Sequence, residues 1–339
     1  MKLTLQGIGM IAVAVALLFA PLALTENQYL LRVLTQALCY ATAVYGLNII
    51  LGYTGQLSLA QAGFFGIGVY TVALLTAEHD WPFWGAFFVG MILTTVVGFI
   101  AGLFALRTRE AYFAVFTMAL GLIIYMVLSR WTSVTGGYDG VRGIKFPENI
   151  GPIDFSEPTV FYFLMVLVVA FCIYLTYTLK TSNVGRTLLA IRTSEDLASS
   201  IGINVGLNKQ LAFTASAGLA GTAGGLFASA QGFIEPEVAH IDLTFELLMF
   251  LLVGGMATVM GPLIGTLLVM ALFELFQDFQ SYRFLFLGPI IIALIIFMPQ
   301  GLIGKLNELI ARRRRRKTTA APQQSQTTQH TEKESVSSC

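Results

Sequence analysis

The sequence predicts an all-α membrane protein: a polytopic helix bundle of about ten transmembrane helices, with both termini on the cytoplasmic side. Three observations carry this reading. Of 339 residues, 56% are hydrophobic and only 12% charged, where soluble domains run at roughly 25% charged. Mean hydropathy is +0.75, and apolar runs repeatedly reach the length of about 20 residues that crosses a hydrocarbon core. Basic residues are also unevenly distributed between alternate connecting segments.

In chain order the apolar spans are 7–24, 30–51, 57–77, 83–106, 111–128, 158–180, 211–232, 244–260, 262–278 and 285–303. The first is longer than the apolar core of a signal peptide and lacks a clear small-x-small cleavage site, so it reads as a retained span. The fourth and fifth enclose a short loop with Arg107 and Arg109, and a long outer loop, 129–157, follows. Gly218, Gly221, Gly224 and Gly225 in 211–232 allow near backbone-to-backbone packing, as in a central span. The 244–278 pair around Gly261-Pro262 is short enough to tilt, break or re-enter. The membrane domain is 1–311, and 312–339 is a tail. Six cations, Arg312 to Lys317, read as a topology anchor or a contact with anionic lipid, and the Thr, Gln and Ser-rich remainder as disordered.

Ten spans with the N-terminus inside place fifteen of the twenty Lys and Arg residues in the cytoplasm, as the positive-inside rule requires. The outer segments then carry Glu78, Asp80, Glu235, Glu237 and Asp242. Nine spans would put Arg312 to Lys317 on the wrong side.

The loop 181–210 is a structured cytoplasmic hairpin by its own chemistry. Ser194 followed by Glu195 and Asp196 is an N-cap with acids where the helix dipole favours them. Leu197 and Ile201 form one apolar edge, and Gly202 supplies a left-handed stop. Upstream, Leu188, Leu189 and Ile191 beside Arg186 and Arg192 make a second amphipathic piece. Such a hairpin suits a groove in another protein or the membrane interface equally well.

Residues 47–70 are dense in glycine and small polar groups. Thr54, Gln56, Ser58 and Gln61, with Gly63, sit at the cytoplasmic entrance to a span, where they serve tight helix packing or a translocation path and its gate. Thr135, Gly136, Gly137 and Asp139 mark tight turns in the outer loop, without the strand and helix context of a nucleotide site. A weak echo relates 63–75 to 261–273, which leaves an internal repeat open.

Several functions are disfavoured. No acid or base stands mid-span in this reading, Arg32, Glu246, Glu274 and Asp278 all falling near span ends, which argues against ion coupling. No phosphate-binding P-loop motif occurs. His79, His240 and His330 are too scattered for a metal, and Cys39 and Cys172 read as buried apolar filler. Neither a metal, a nucleic-acid partner nor an enzymatic activity is expected.

Together these segments resemble the permease subunits of branched-chain amino acid ABC importers, of the LivM type. The likeness is carried by GLNIILGYTGQLSLAQAGFFGIGVY at 46–70, TGGYDG from Thr135, and GRTLLAIRTSEDLASSIGIN at 185–204. GFIEPE ending at Glu237, GGM from Gly254 and GPLIG from Gly261 follow in the family's order. The resemblance implies an importer in the bacterial inner membrane, built from this chain, a second LivH-like permease, two cytoplasmic ATPase subunits and a periplasmic amino-acid-binding protein. Substrate would pass inward, with ATP used by the partner subunits and no cofactor in this chain.

It also makes 186–202 the loop that couples to the ATPase. The family's E-A-A-x3-G signature falls on Asp196 to Gly202, with Asp for Glu and Leu for the first Ala, and without the usual I-x-L-P. Gly185, Arg186, Arg192, Glu195, Asp196, Ala198 and Gly202 are its expected coupling residues. Thr135, Gly136, Gly137, Asp139, Glu235 and Glu237 would dock the binding protein. Met256 to Met260 depart from the family's usual Gly and Trp, which leaves urea and other amides as alternative cargo. A stand-alone secondary carrier is the other alternative.

Overall fold

A computed structural model describes residues 28–108, 111–149, 151, 154–276 and 301–304. The expected first span, most of the last one, the basic run and the tail lie outside these residues.

The fold is a helix bundle. Helix α1 (Gln28–Leu47) continues as one wide π-helical turn and a half, Asn48–Tyr53. After a non-helical stretch come α2 (Gln61–Ala77), α3 (Phe83–Ala105) and α4 (Ala111–Arg130). The long loop holds the short α5 (Thr132–Thr135) and strand β1 (Val141–Arg142). Then follow α6 (Pro158–Thr181), the hairpin helices α7 (Asn183–Thr193) and α8 (Glu195–Ser200), and α9 (Val205–Gln231). Strand β2 (Phe233–Ile234), α10 (Ile241–Gly254) and α11 (Gly261–Leu275) complete the order.

Among the described residues, five helices are long and apolar enough to cross a membrane: Gln28–Tyr53, Phe83–Ala105, Ala111–Arg130, Pro158–Thr181 and Val205–Gln231. At 1.5 Å per residue, α2, α10 and α11 extend only about 21 to 26 Å, short of a hydrocarbon core of about 30 Å. Two expected spans are therefore corrected. Span 57–77 is helical only from Gln61, because residues 55–60 are not helical. Span 244–260 starts earlier, at Ile241, and stops at Gly254. There Gly255 (φ +114°) and Ala257 (φ +56°) turn the chain, and Pro262 lies in the first turn of α11, where its missing N–H costs nothing.

Helix α9 is the central element, packed against α1, α2 and α3. Its glycines set the approach: a Cβ on Gly224 would fall 2.1 Å from the carbonyl oxygen of Phe65, and one on Gly68 would fall 2.2 Å from that of Gly221. Larger residues would hold α2 away. Outward, α3 presents Phe88, Ile92, Val96 and Phe99, and α6 presents Leu167, Phe171 and Tyr174, all exposed. Such an apolar exterior suits lipid, not water.

The bundle has two distinct ends. At one, α1 finishes and α9 begins beside the hairpin. At the other, β1 and β2 pair antiparallel, Val141 opposite Ile234 and Arg142 opposite Phe233. From that ladder the chain dips inward, so that Ala239 packs on Gly66 and Thr244 Oγ1 accepts the Ala62 N–H at 3.0 Å. Helix α10 thus starts beside α2, with Thr244 on its first turn and Asp242 still exposed.

Candidate functional site

The hairpin folds as its caps dictate. Ser182 Oγ accepts the Gly185 N–H at 3.2 Å to start α7, and Ser194 Oγ accepts the Leu197 N–H at 3.3 Å to start α8. Gly202 ends the unit with φ +86°. Gly185 has no room for a side chain, since its Cβ would lie 1.9 Å from the Leu179 carbonyl.

The expected coupling residues divide between two faces. Leu188, Ile191, Ala198 and Gly185 are buried against the bundle. Arg186, Asp196 and Gly202 are exposed, with Arg186 donating to Asn183 Oδ1. The apolar edge, Leu197 (64% exposed) and Ile201 (70%), also faces away from the bundle.

Arg192 and Glu195 turn inward, onto the end of α1. Arg192 Nη1 donates to the carbonyl oxygen of Gly52. Its methylenes lie over Gly55, where a Cβ would be 3.0 Å from Arg192 Cγ. Gly55 has φ +77°, a conformation that suits glycine and redirects the chain. Glu195 Oε1 accepts from Gln56 Nε2 at 3.0 Å and from Lys209 Nζ, at the start of α9. Lys209 is only 4% exposed, and a buried ammonium requires such a partner. The structure therefore joins two motifs that lie about 140 residues apart in the sequence.

The Gly55 N–H still bonds to the Leu51 carbonyl and the Ala60 carbonyl accepts the Phe64 N–H, and between them residues 56–59 run through the bundle outside the helical ladder. Non-helical backbone at membrane depth persists only where protein or a water-filled cavity satisfies it. Here the Leu59 N–H donates to Thr117 Oγ1 of α4 at 3.0 Å. Above it, Thr54 closes the π-helical segment, its hydroxyl bonded to the Ile50 carbonyl. Short π-helical pieces recur at functional sites.

The residues read as a path or gate separate in space. Thr54 and Gln56 belong to the hairpin junction, and Ser58 is buried beside it. Gln61 is a clasp between helices: Nε2 donates to the Ala43 carbonyl at 3.0 Å, and Oε1 accepts from Ser216 Oγ at 3.1 Å. Gly63 packs on α4, where a Cβ would lie 3.2 Å from Gly121 Cα.

At the opposite end, Thr135 is a structural anchor, its buried hydroxyl bonded to the Leu128 and Trp131 carbonyls. Gly136 and Gly137 adopt positive φ. Asp139 and Glu235 are exposed, at the two sides of the β1–β2 ladder. Glu237 lies on the inward dip, close enough to Tyr70 and Tyr125 to act on them electrostatically.

Two residues escaped the sequence reading. Asn48 holds the 257–258 turn by both ends of its amide, and an asparagine within an apolar run was its only signal. Lys209 looked like an ordinary loop cation. Glu246 stands near a helix end as expected and is half-buried in the first turns of α10.

An apolar bundle with five helices long and apolar enough to cross a membrane among its described residues defines a multi-pass membrane protein. The chain belongs to the family described as "branched-chain amino acid transport system / permease component", whose family model matches residues 29–297. It is similar to the high-affinity branched-chain amino acid transport system permease protein LivM of Salmonella typhimurium, 31% identical over 292 residues, 79% of this chain and 68% of the relative. LivM of Escherichia coli K12 matches at 31% over 291 residues, with the same coverage. The permease protein LivH of Salmonella typhimurium is 24% identical over 288 residues, 78% of this chain and 91% of the relative. No solved structure matches the chain.

Proposed function

We propose that this chain is a permease subunit of an ATP-driven importer for branched-chain amino acids in the bacterial inner membrane. It forms the translocation path with a second, LivH-like permease. ATP is hydrolysed on two cytoplasmic ATPase subunits that grip the hairpin, and a periplasmic binding protein delivers the substrate. The carrying observation is the two-faced hairpin. Leu197 and Ile201 are free to seat in a partner's groove, while Arg192 and Glu195 hold the broken helix at residues 52–56. The names of the LivM and LivH relatives supply the substrate class.

In this mechanism, closure of the ATPases displaces α7 and α8, and the bundle switches between outward and inward access. The hairpin end is cytoplasmic. The binding protein docks at the opposite end, where the β1–β2 ladder brings Asp139 and Glu235 onto one surface.

The test is ATP-dependent uptake of labelled leucine, isoleucine and valine by membranes holding the complete importer. Asp196→Lys and Gly202→Arg are expected to abolish uptake with the protein still inserted. Wild-type uptake by both variants would overturn the coupling role. Uptake by the purified chain alone under an ion gradient would mark a secondary carrier, and transport of urea instead would reassign the cargo.

A further inference from the structure

We propose that Arg192, Glu195 and Lys209 are positioning residues of a mechanical relay, which carries displacement of the hairpin into the broken helix through Gly52 and Gln56. This rests on the reading of 186–202 as the coupling loop. The hairpin touches the end of α1 through directional polar ties as well as apolar packing. Arg192 grips the Gly52 carbonyl at the close of the π-helical turn. One oxygen of Glu195 receives both Gln56 and Lys209. Lys209 is buried at the base of α9, the central helix, so it serves as a post against which α8 is set.

Between the two ties lies Gly55, whose left-handed backbone is the one point where the 52–56 segment changes direction. When α8 moves, either Gln56 moves with it or Glu195 parts from its partners. Motion of Gln56 then pulls residues 56–59, which lie outside the helical ladder and are held to α4 through Leu59 and Thr117. A hydrogen bond to a charged group is strong enough to transmit such a bias.

The experiment uses the complete importer in proteoliposomes and reads three quantities: ATPase binding, ATP hydrolysis, and substrate moved per ATP. The key variant is Gln56→Met, which removes one tie and leaves the Lys209–Glu195 pair intact; Arg192→Met removes the other. Gln56→Met is expected to bind the ATPases and hydrolyse ATP as wild type does, while substrate per ATP falls at least about five-fold, the lower end of typical coupling between sites, and Arg192→Met should lower substrate per ATP as well. Glu195→Lys with Lys209→Glu should recover uptake relative to either single change. A purely structural role would instead lower yield, hydrolysis and uptake together.

Spin labels at Leu57 and Ser199 give an independent reading where a variant folds poorly. Their separation should stay constant through the ATP cycle in the otherwise wild-type protein. Wild-type stoichiometry in Gln56→Met, loss of ATPase binding in that variant, or a changing 57–199 distance would each overturn the relay. Failure of the wild-type chain to bind ATPases at all would overturn the proposed function with it.

Discussion

Asn48 donates through Nδ2 to the carbonyl oxygen of Thr258 at 3.1 Å, and its Oδ1 accepts the N–H of Ala257 at 2.8 Å. One buried amide thus replaces, for the turn between α10 and α11, the pairing that a continuous helix would have given. Tyr45 adds a third tie one turn earlier, its hydroxyl donating to the Val259 carbonyl at 2.9 Å. The end of α1 is consequently the meeting point of both interruptions in the bundle, 55–60 and 255–260.

Asn48→Leu strands a buried donor and a buried acceptor, each costing about 1 to 3 kcal/mol. The expected result is a marked fall in the thermal unfolding temperature in detergent. Asn48→Asp retains the acceptor for Ala257 and should fall between. An unchanged transition in Asn48→Leu would show that the turn is held by packing alone.

The local chemistry of the hairpin was legible because its signals are local: Ser194 caps, Gly202 stops, and the acids sit in the first turn. The small residues of 211–232 likewise announced a central helix, since close packing needs them whatever the neighbour. The break at 55–60 was not legible, because an apolar run looks continuous when the partner of its unpaired N–H, Thr117, lies 58 residues away.

Gly68→Ala tests the contact between α2 and α9. The added methyl meets the Gly221 carbonyl oxygen at 2.2 Å, and neither backbone has a flexible end to yield. Overpacking of this kind costs about 1 to 3 kcal/mol or more, read as lost folded yield and earlier unfolding. Gly206→Ala is the control, because its Cβ meets only Asn204 Oδ1 at 3.8 Å. It should unfold no earlier than wild type.

The pair Lys145–Asp80, 2.8 Å apart on the loop-rich end, gives a pH dependence with a definite sign. The Lys145 hydrogen bond and charge hold the Asp80 carboxyl below the usual carboxylate range. A lowered folded-state value means that the stabilisation is present above the ordinary value of 3.8 and disappears as pH falls through the lowered one. Both groups are exposed, so the effect is small and screened by salt. Asp80→Asn should remove that part of the acid-side slope at low ionic strength and leave uptake at neutral pH unchanged.

Glu246→Gln addresses the half-buried acid of α10. Helix α10 packs on α2 through Thr244 and Ala62, and Glu246, two residues on, is a half-buried carboxylate in an apolar helix. Ionisable groups in such positions mark substrate or ion pathways. Glutamine keeps the size and hydrogen-bonding capacity of the side chain while removing the charge, which separates a transport role from a packing role. A charge-assisted hydrogen bond to a transported group contributes about 1.5 to 3 kcal/mol, so uptake by the variant should fall by roughly ten- to hundred-fold. Unfolding temperature and ATPase binding should hold. Equal uptake with a lower unfolding temperature would make Glu246 a packing residue.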